Sequence, residues 1–140
     1  KLYAPLVIPG ISTNVLVCDA DVVWLSAGVT FLAPWELEET PAAHFCTFDS
    51  EACPPIRSAV DLSRYDDFVP AVIPGLLKPQ AGQTAVCHHA LLQGDLVRAL
   101  HERVEECHGH GSAFWTAFRD AARACAGRAS EYELYHAFVC

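Results

Sequence analysis

Two carboxylates stand one residue apart in Asp19-Ala20-Asp21, directly after the apolar run Val15-Leu16-Val17-Cys18. At the carboxyl end of a buried strand, where ligands gather in open α/β sheets, such a pair repels itself electrostatically unless a cation relieves it. A divalent ion held there would bridge the two phosphates of a nucleoside diphosphate and stabilise it as a leaving group. The competing interpretation is a turn whose Asp residues cap the following segment. His88 and His89 form the second pair. Either imidazole could complete a metal shell beside carboxylates or meet a diphosphate. Adjacent residues at a strand end point to opposite sides, so at most one of them faces the site. Alternatively, one packs inward and the other bonds a carbonyl.

Glu131 is the third candidate. In Ser130-Glu131-Tyr132-Glu133, Ser130 and Glu133 have the spacing of a capping box, with Ser130 accepting from the Glu133 amide and Glu133 reaching back. Glu131 at the first helical position suits the helix dipole, and it could equally serve as general base for an acceptor hydroxyl. Phe114, Trp115 and Phe118 lie at helical spacing and are expected in the core rather than in a sugar platform. His108 and His110 flank Gly109 and are expected to be solvated. Nothing resembles a phosphate-binding glycine loop, a Ser-His-Asp arrangement or a zinc site.

The elements that must position these groups follow from periodicity. Residues 1–7 have a short helical character closed by Pro9-Gly10. Residues 15–25 carry the carboxylate motif, beginning with a run that suits a strand buried on both faces of a parallel sheet. Residues 31–83 are loop-rich, with seven of the nine prolines between Pro34 and Pro79. Within that stretch a short helix is expected over 69–77, interrupted at Pro74-Gly75. Ala85-Val86-Cys87 reads as a second strand delivering His88 and His89 at its end.

Residues 92–140 are expected to be helical. Leu96, Leu100 and Val104 step by four, Val97 widens the stripe, and Gly109 stops that helix. Ser112 is expected to cap the next one, with Phe114, Trp115, Phe118, Ala122 and Cys125 buried and Gly127 at its end. The capping box opens the last helix.

Composition narrows the function. The 140 residues suit one domain, and 52% hydrophobic with 19% charged is a globular balance. The chain starts at Lys1 and has no Met, so it is read as a piece of a longer protein whose N-terminal part is missing. That leaves a signal peptide or membrane anchor undetermined, although no apolar run approaches the roughly 18 to 20 residues of a spanning helix. A net charge of −8 and the lack of a basic, aromatic-laced stripe argue against a nucleic-acid partner. Seven cysteines without a Cys-x-x-Cys pair fit a reducing compartment. The cytoplasm is therefore favoured, with the Golgi lumen the alternative for a eukaryotic chain and Cys46–Cys53 the one pairing left open.

Lys1-Leu2-Tyr3-Ala4-Pro5, then residues 15–25 (VLVCDADVVWL), resemble the metal-motif strand of glycosyltransferase A-fold enzymes. Cys87-His88-His89-Ala90-Leu91-Leu92, Ser112-Ala113-Phe114-Trp115 and Ser130-Glu131-Tyr132-Glu133-Leu134-Tyr135 follow in the same order. The succession is similar to a poorly characterised glycosyltransferase-like family of bacteria, algae and their viruses, over nearly the whole chain except 31–83. The resemblance implies a Rossmann-like nucleotide-binding half upstream, a Mn²⁺ or Mg²⁺ ion, and a saccharide or other hydroxyl acceptor held by the C-terminal part.

The resulting expectation is a single partial α/β domain over 1–140, of glycosyltransferase A type, transferring a sugar from a nucleotide-sugar donor. Asp19, Asp21 and His89 are expected at the metal, Asp19 and His88 at the donor, and Glu131 as the catalytic acceptor-side residue. The rival is a non-catalytic α/β module that keeps the fold for binding or scaffolding.

Overall fold

The apolar run at 15–18 becomes a strand, β1 (Asn14–Cys18), in the computed structural model of the chain. Residues 1–23, 28, 48–49, 65–78, 83–86, 89–109 and 111–140 are described, with backbone alone at 48–49 and 83–84. In chain order they form α1 (Ala4–Val7), β1, β2 (Phe48–Asp49), α2 (Phe68–Val72), β3 (Gln83–Thr84), β4 (His89–Gln93), α3 (Gly94–His108), α4 (Phe114–Ala124) and α5 (Glu131–Val139).

β1 pairs antiparallel with β4, from Asn14 opposite Gln93 to Cys18 opposite His89, and β2 pairs antiparallel with β3. The described residues therefore hold two antiparallel ribbons and no parallel pair, in place of the expected parallel sheet. The ribbon is also not buried on both faces. Ala90 and Leu92 turn into the core while Leu16 stays 37% exposed, the alternation of a half-covered antiparallel pair. An all-apolar run carries no signal to separate these two cases.

The strand expected at 85–87 is displaced. Ala85 and Val86 follow β3 without joining it, Cys87 and His88 lie outside the described residues, and His89 opens β4 instead of closing a strand. At the other end, β1 stops at Cys18, and the Val22 N–H donates to the Asp19 carbonyl (3.2 Å), so Asp19-Ala20-Asp21-Val22 is a β-turn. Most of 31–83, with Cys46 and Cys53, lies outside the described residues.

Helices α2, α3, α4 and α5 enclose the core against the inner face of the β1–β4 ribbon, with α1 laid on α3. Val97, Leu100, His101 and Val104 form the inward stripe of α3, spaced as an amphipathic helix demands. Gly109 ends it with φ 93°, a left-handed conformation that β-carbons resist. His108 is exposed as expected, and its Nε2 also lies 2.7 Å from the Val72 carbonyl, tying α3 to α2.

Helix α4 departs from expectation twice. Ser112 does not cap it. The carboxylate of Glu105 on α3 accepts from the Phe114 N–H (3.3 Å), so the cap comes from a neighbouring helix. Its buried face is Phe114, Ala117, Ala121 and Cys125, while Trp115 turns out and is 53% exposed. Gly127 closes the helix as expected, donating to the Ala122 carbonyl (2.8 Å).

Ser130 caps α5, its Oγ accepting from the Glu133 N–H at 3.3 Å. Replacing Ser130 with Ala should lower stability by about 0.5–2 kcal/mol in a urea melt, the usual cost of losing such a cap. Glu133 itself does something the box did not predict. Its side chain is fully buried, and Oε1 lies 3.5 Å from the Lys78 ammonium, which also reaches Asp66 at 2.8 Å. Two residues on from Glu133, the hydroxyl of Tyr135 accepts from the Gln93 N–H (3.1 Å), fastening α5 to the β4–α3 junction.

Candidate functional site

The capped first turn of α5 and the turn after β1 meet around Lys1. Its ammonium bonds the Asp19 carboxylate, donates to the Tyr132 hydroxyl at 2.8 Å, and lies 3.9 Å from Glu131 Oε1. The Tyr132 hydroxyl in turn donates to Asp19 Oδ1 (3.3 Å), and the Lys1 ammonium sits 4.4 Å from the Tyr132 ring centre. Partial burial alone would lower the Lys1 pKa. Hydrogen bonds to Asp19 and Tyr132, with the charge of Glu131 nearby, outweigh it and hold the ammonium above its ordinary range. Burial raises the Tyr132 phenol, against the pull of Lys1. A cation is thus drawn to Asp19, and Lys1 is a cation that meets it among the described residues.

Of the residues expected at the site, Asp19 and Glu131 come together, from β1 and α5. Asp21 is exposed on the turn, two residues from Asp19. His89 lies at the same end of the ribbon, but opposite the exposed Cys18, on the outer face shared with Leu16 and Leu91. Asp19 turns the other way, to α5. His88 lies outside the described residues. Among the described residues no three His, Cys, Asp or Glu side chains cluster to hold a metal ion unaided.

Beside this cluster opens a pocket of about 200 Å³, lined by Lys1, Tyr3, Phe114, Trp115, Phe118 and Glu131. Its foundation is an aromatic stack. The His101 ring lies parallel to Phe114 at 3.9 Å and meets the edge of Tyr3 at 4.7 Å. Arg119 lies against the Trp115 ring, 4.9 Å from its centre.

The His101 imidazole is buried, with Nε2 lacking a hydrogen-bond partner. Burial pushes its pKa down to about 4, with Glu105 opposing, from an ordinary value of 6.5. A base whose folded pKa is depressed favours folding in its neutral form. The unfolded chain therefore takes up the proton first, and stability falls as pH drops from about 6.5 towards 4. His136 acts in the same direction, lowered by burial against the pull of Glu133. The melting temperature should therefore fall between pH 7 and pH 5, and His101→Phe should flatten part of that slope.

Lys1, Tyr132 and Trp115 are the members that sequence reasoning missed. No spacing rule links Lys1 or Tyr132 to Asp19. The exposure of Trp115 was within reach, since Phe114, Ala117 and Ala121 complete a helical stripe that excludes position 115. Comparison of the chain with protein-family models, curated proteins and solved structures returns no match.

Proposed function

We propose that the chain is part of a nucleotide-sugar-dependent glycosyltransferase, a partial α/β unit of the A type in which Asp19 and Asp21 serve the donor and Glu131 the acceptor. One observation carries this reading. A carboxylate at the end of β1 and another at the start of α5 meet through Lys1 and Tyr132 at the rim of an aromatic-walled pocket. The arrangement has an anionic, cation-attracting side and an apolar, ring-sized side, as transfer between a diphosphate donor and a hydroxyl acceptor requires.

The divalent ion implied by the resemblance is compatible with these residues. Mg²⁺-type sites use one or two carboxylates and let substrate phosphates complete the shell, so a three-residue protein cluster is not needed. Asp19 and Asp21 would hold the ion, with the Lys1 ammonium giving up its place on Asp19 when the ion binds. A bound ion would supply neutralisation of the diphosphate leaving group. Before it binds, Lys1 and the Tyr132 hydroxyl orient Asp19. Glu131 offers a carboxylate to an acceptor hydroxyl.

Four described cysteines, Cys18, Cys107, Cys125 and Cys140, are free thiols, in keeping with a reducing compartment such as the cytoplasm. No described helix is long and apolar enough to cross a membrane.

The test is calorimetric binding of UDP and GDP with and without Mn²⁺, on the full-length protein. Asp21→Asn keeps the shape and removes the charge. It should abolish Mn²⁺-dependent binding, because a carboxylate ligand becomes a neutral amide. Unchanged binding in that variant sinks the donor-side assignment. The Lys1–Asp19 ion pair also favours a second reading, a binding module in which Asp19 is paired with Lys1 rather than with a metal ion. Under that reading neither nucleotide binds with or without the metal.

A further inference from the structure

We propose that the pocket between Tyr3 and α4 binds a single pyranose ring, with Trp115 and its aromatic neighbours against the ring's C–H face and Lys1 and Glu131 on its hydroxyls. The assignment of that ring to the acceptor rests on the transferase reading; its binding does not. Three observations lead there.

The first is size. Sites for drug-sized ligands run from about 300 Å³ upward, and an open pocket of about 200 Å³ is on the scale of one ring. The second is the shape of the walls. Tyr3 and Phe114 stand at 77°, and Phe114 and Phe118 at 36°. Phe114 is buried and stacked on His101, so it shapes the floor, and the rings exposed to a ligand are Tyr3 and Trp115, an apolar surface suited to the C–H face of a saturated ring. Trp115 belongs to this wall despite its exposure. Arg119 lies against its ring and helps to hold it, and a 53% exposed indole is a large apolar surface for a residue with no packing role in the core.

The third observation is the rim. The Lys1 ammonium donates only and the Glu131 carboxylate accepts only, and they stand 3.9 Å apart. Neighbouring sugar hydroxyls, each both donor and acceptor, can satisfy both groups at once. Lys1 is already engaged by Asp19 and Tyr132, so the Glu131 carboxylate, a third exposed, is the group that a purely apolar ligand would strip of water without offering a donor in return.

Saturation-transfer NMR on the 140-residue chain tests this directly. The probes are the methyl pyranosides of glucose, galactose and mannose, with uridine and guanosine as flat-ring comparators. At least one glycoside should take up saturation on its ring C–H protons. The signal should vanish in Trp115→Ala and persist, weakened, in Trp115→Phe. Circular dichroism should be unchanged in both variants, since Trp115 is not part of the core. Three results overturn the proposal: no glycoside is saturated, the glycoside signal survives Trp115→Ala intact, or only the nucleosides respond. The calorimetric UDP and GDP experiment is independent of this outcome. Glycoside binding without nucleotide binding keeps the pocket and removes the transferase, and the converse removes the pocket alone.

Discussion

Glu131→Gln should reduce sugar transfer by about 10²-fold or more while nucleotide binding persists, if Glu131 takes the proton of the acceptor hydroxyl. The geometry makes the comparison clean. Glu131 is the first residue of α5, a third exposed, and its nearest ionic contact is Lys1 at 3.9 Å, a distance that contributes little to folding. Removing its charge at a helix start costs about 0.3–1 kcal/mol. The cap that holds the helix belongs to Ser130 and is untouched. A thermal melt therefore moves little while turnover collapses. Full turnover in Glu131→Gln would leave the residue as a helix-start carboxylate and send the search for a base elsewhere.

The other large effect is on stability. Lys78→Met should destabilise the chain by about 3–5 kcal/mol, the cost of taking the cation from a buried ion pair. Glu133 has no exposed surface, and the Lys78 ammonium at 3.5 Å is a cation held beside it while also reaching Asp66. Glu133→Gln in the Lys78→Met background should recover much of the loss, because the uncharged amide no longer needs a counter-ion. A double-mutant cycle in urea separates this coupling from lost packing of the lysine stem. Additive losses in the cycle would mean that the pair contributes nothing as a pair.

Legibility in the sequence followed the range of the interaction. The Ser130 cap, the Gly109 and Gly127 stops and the α3 stripe are set by residues within a turn or two of each other, and they stand where the periodicity puts them. The cap of α4 failed because Glu105 reaches Phe114 from another helix, for which Ser112 offered a plausible local substitute. Glu133 fits the box by spacing, but its carboxylate goes inward because Lys78 waits there. The site was half legible. Asp19 and Glu131 are conspicuous by residue type, whereas their meeting depends on Lys1 and Tyr132, which no period or motif connects. His89 shows the reverse: its residue type suggested a ligand, and the antiparallel register put it on the far face from the Asp19 contact.

That register also bears on the order in which the molecule comes together and comes apart. The α3–α4 contact is between neighbours in the chain, whereas β1 must find β4 across the whole middle of the sequence. Loop closure of that length is slow and entropically costly, so the helical layer is the natural early partner and the ribbon a late arrival. The same asymmetry holds in the native state. A two-stranded ribbon with one uncovered face opens more readily than a helix with a fully buried stripe. Amide exchange should therefore run faster in 14–18 than in 97–104. Each such excursion would carry Asp19 away from Lys1 and Tyr132, dismantling the anionic side of the site while the aromatic pocket on the helices stays assembled.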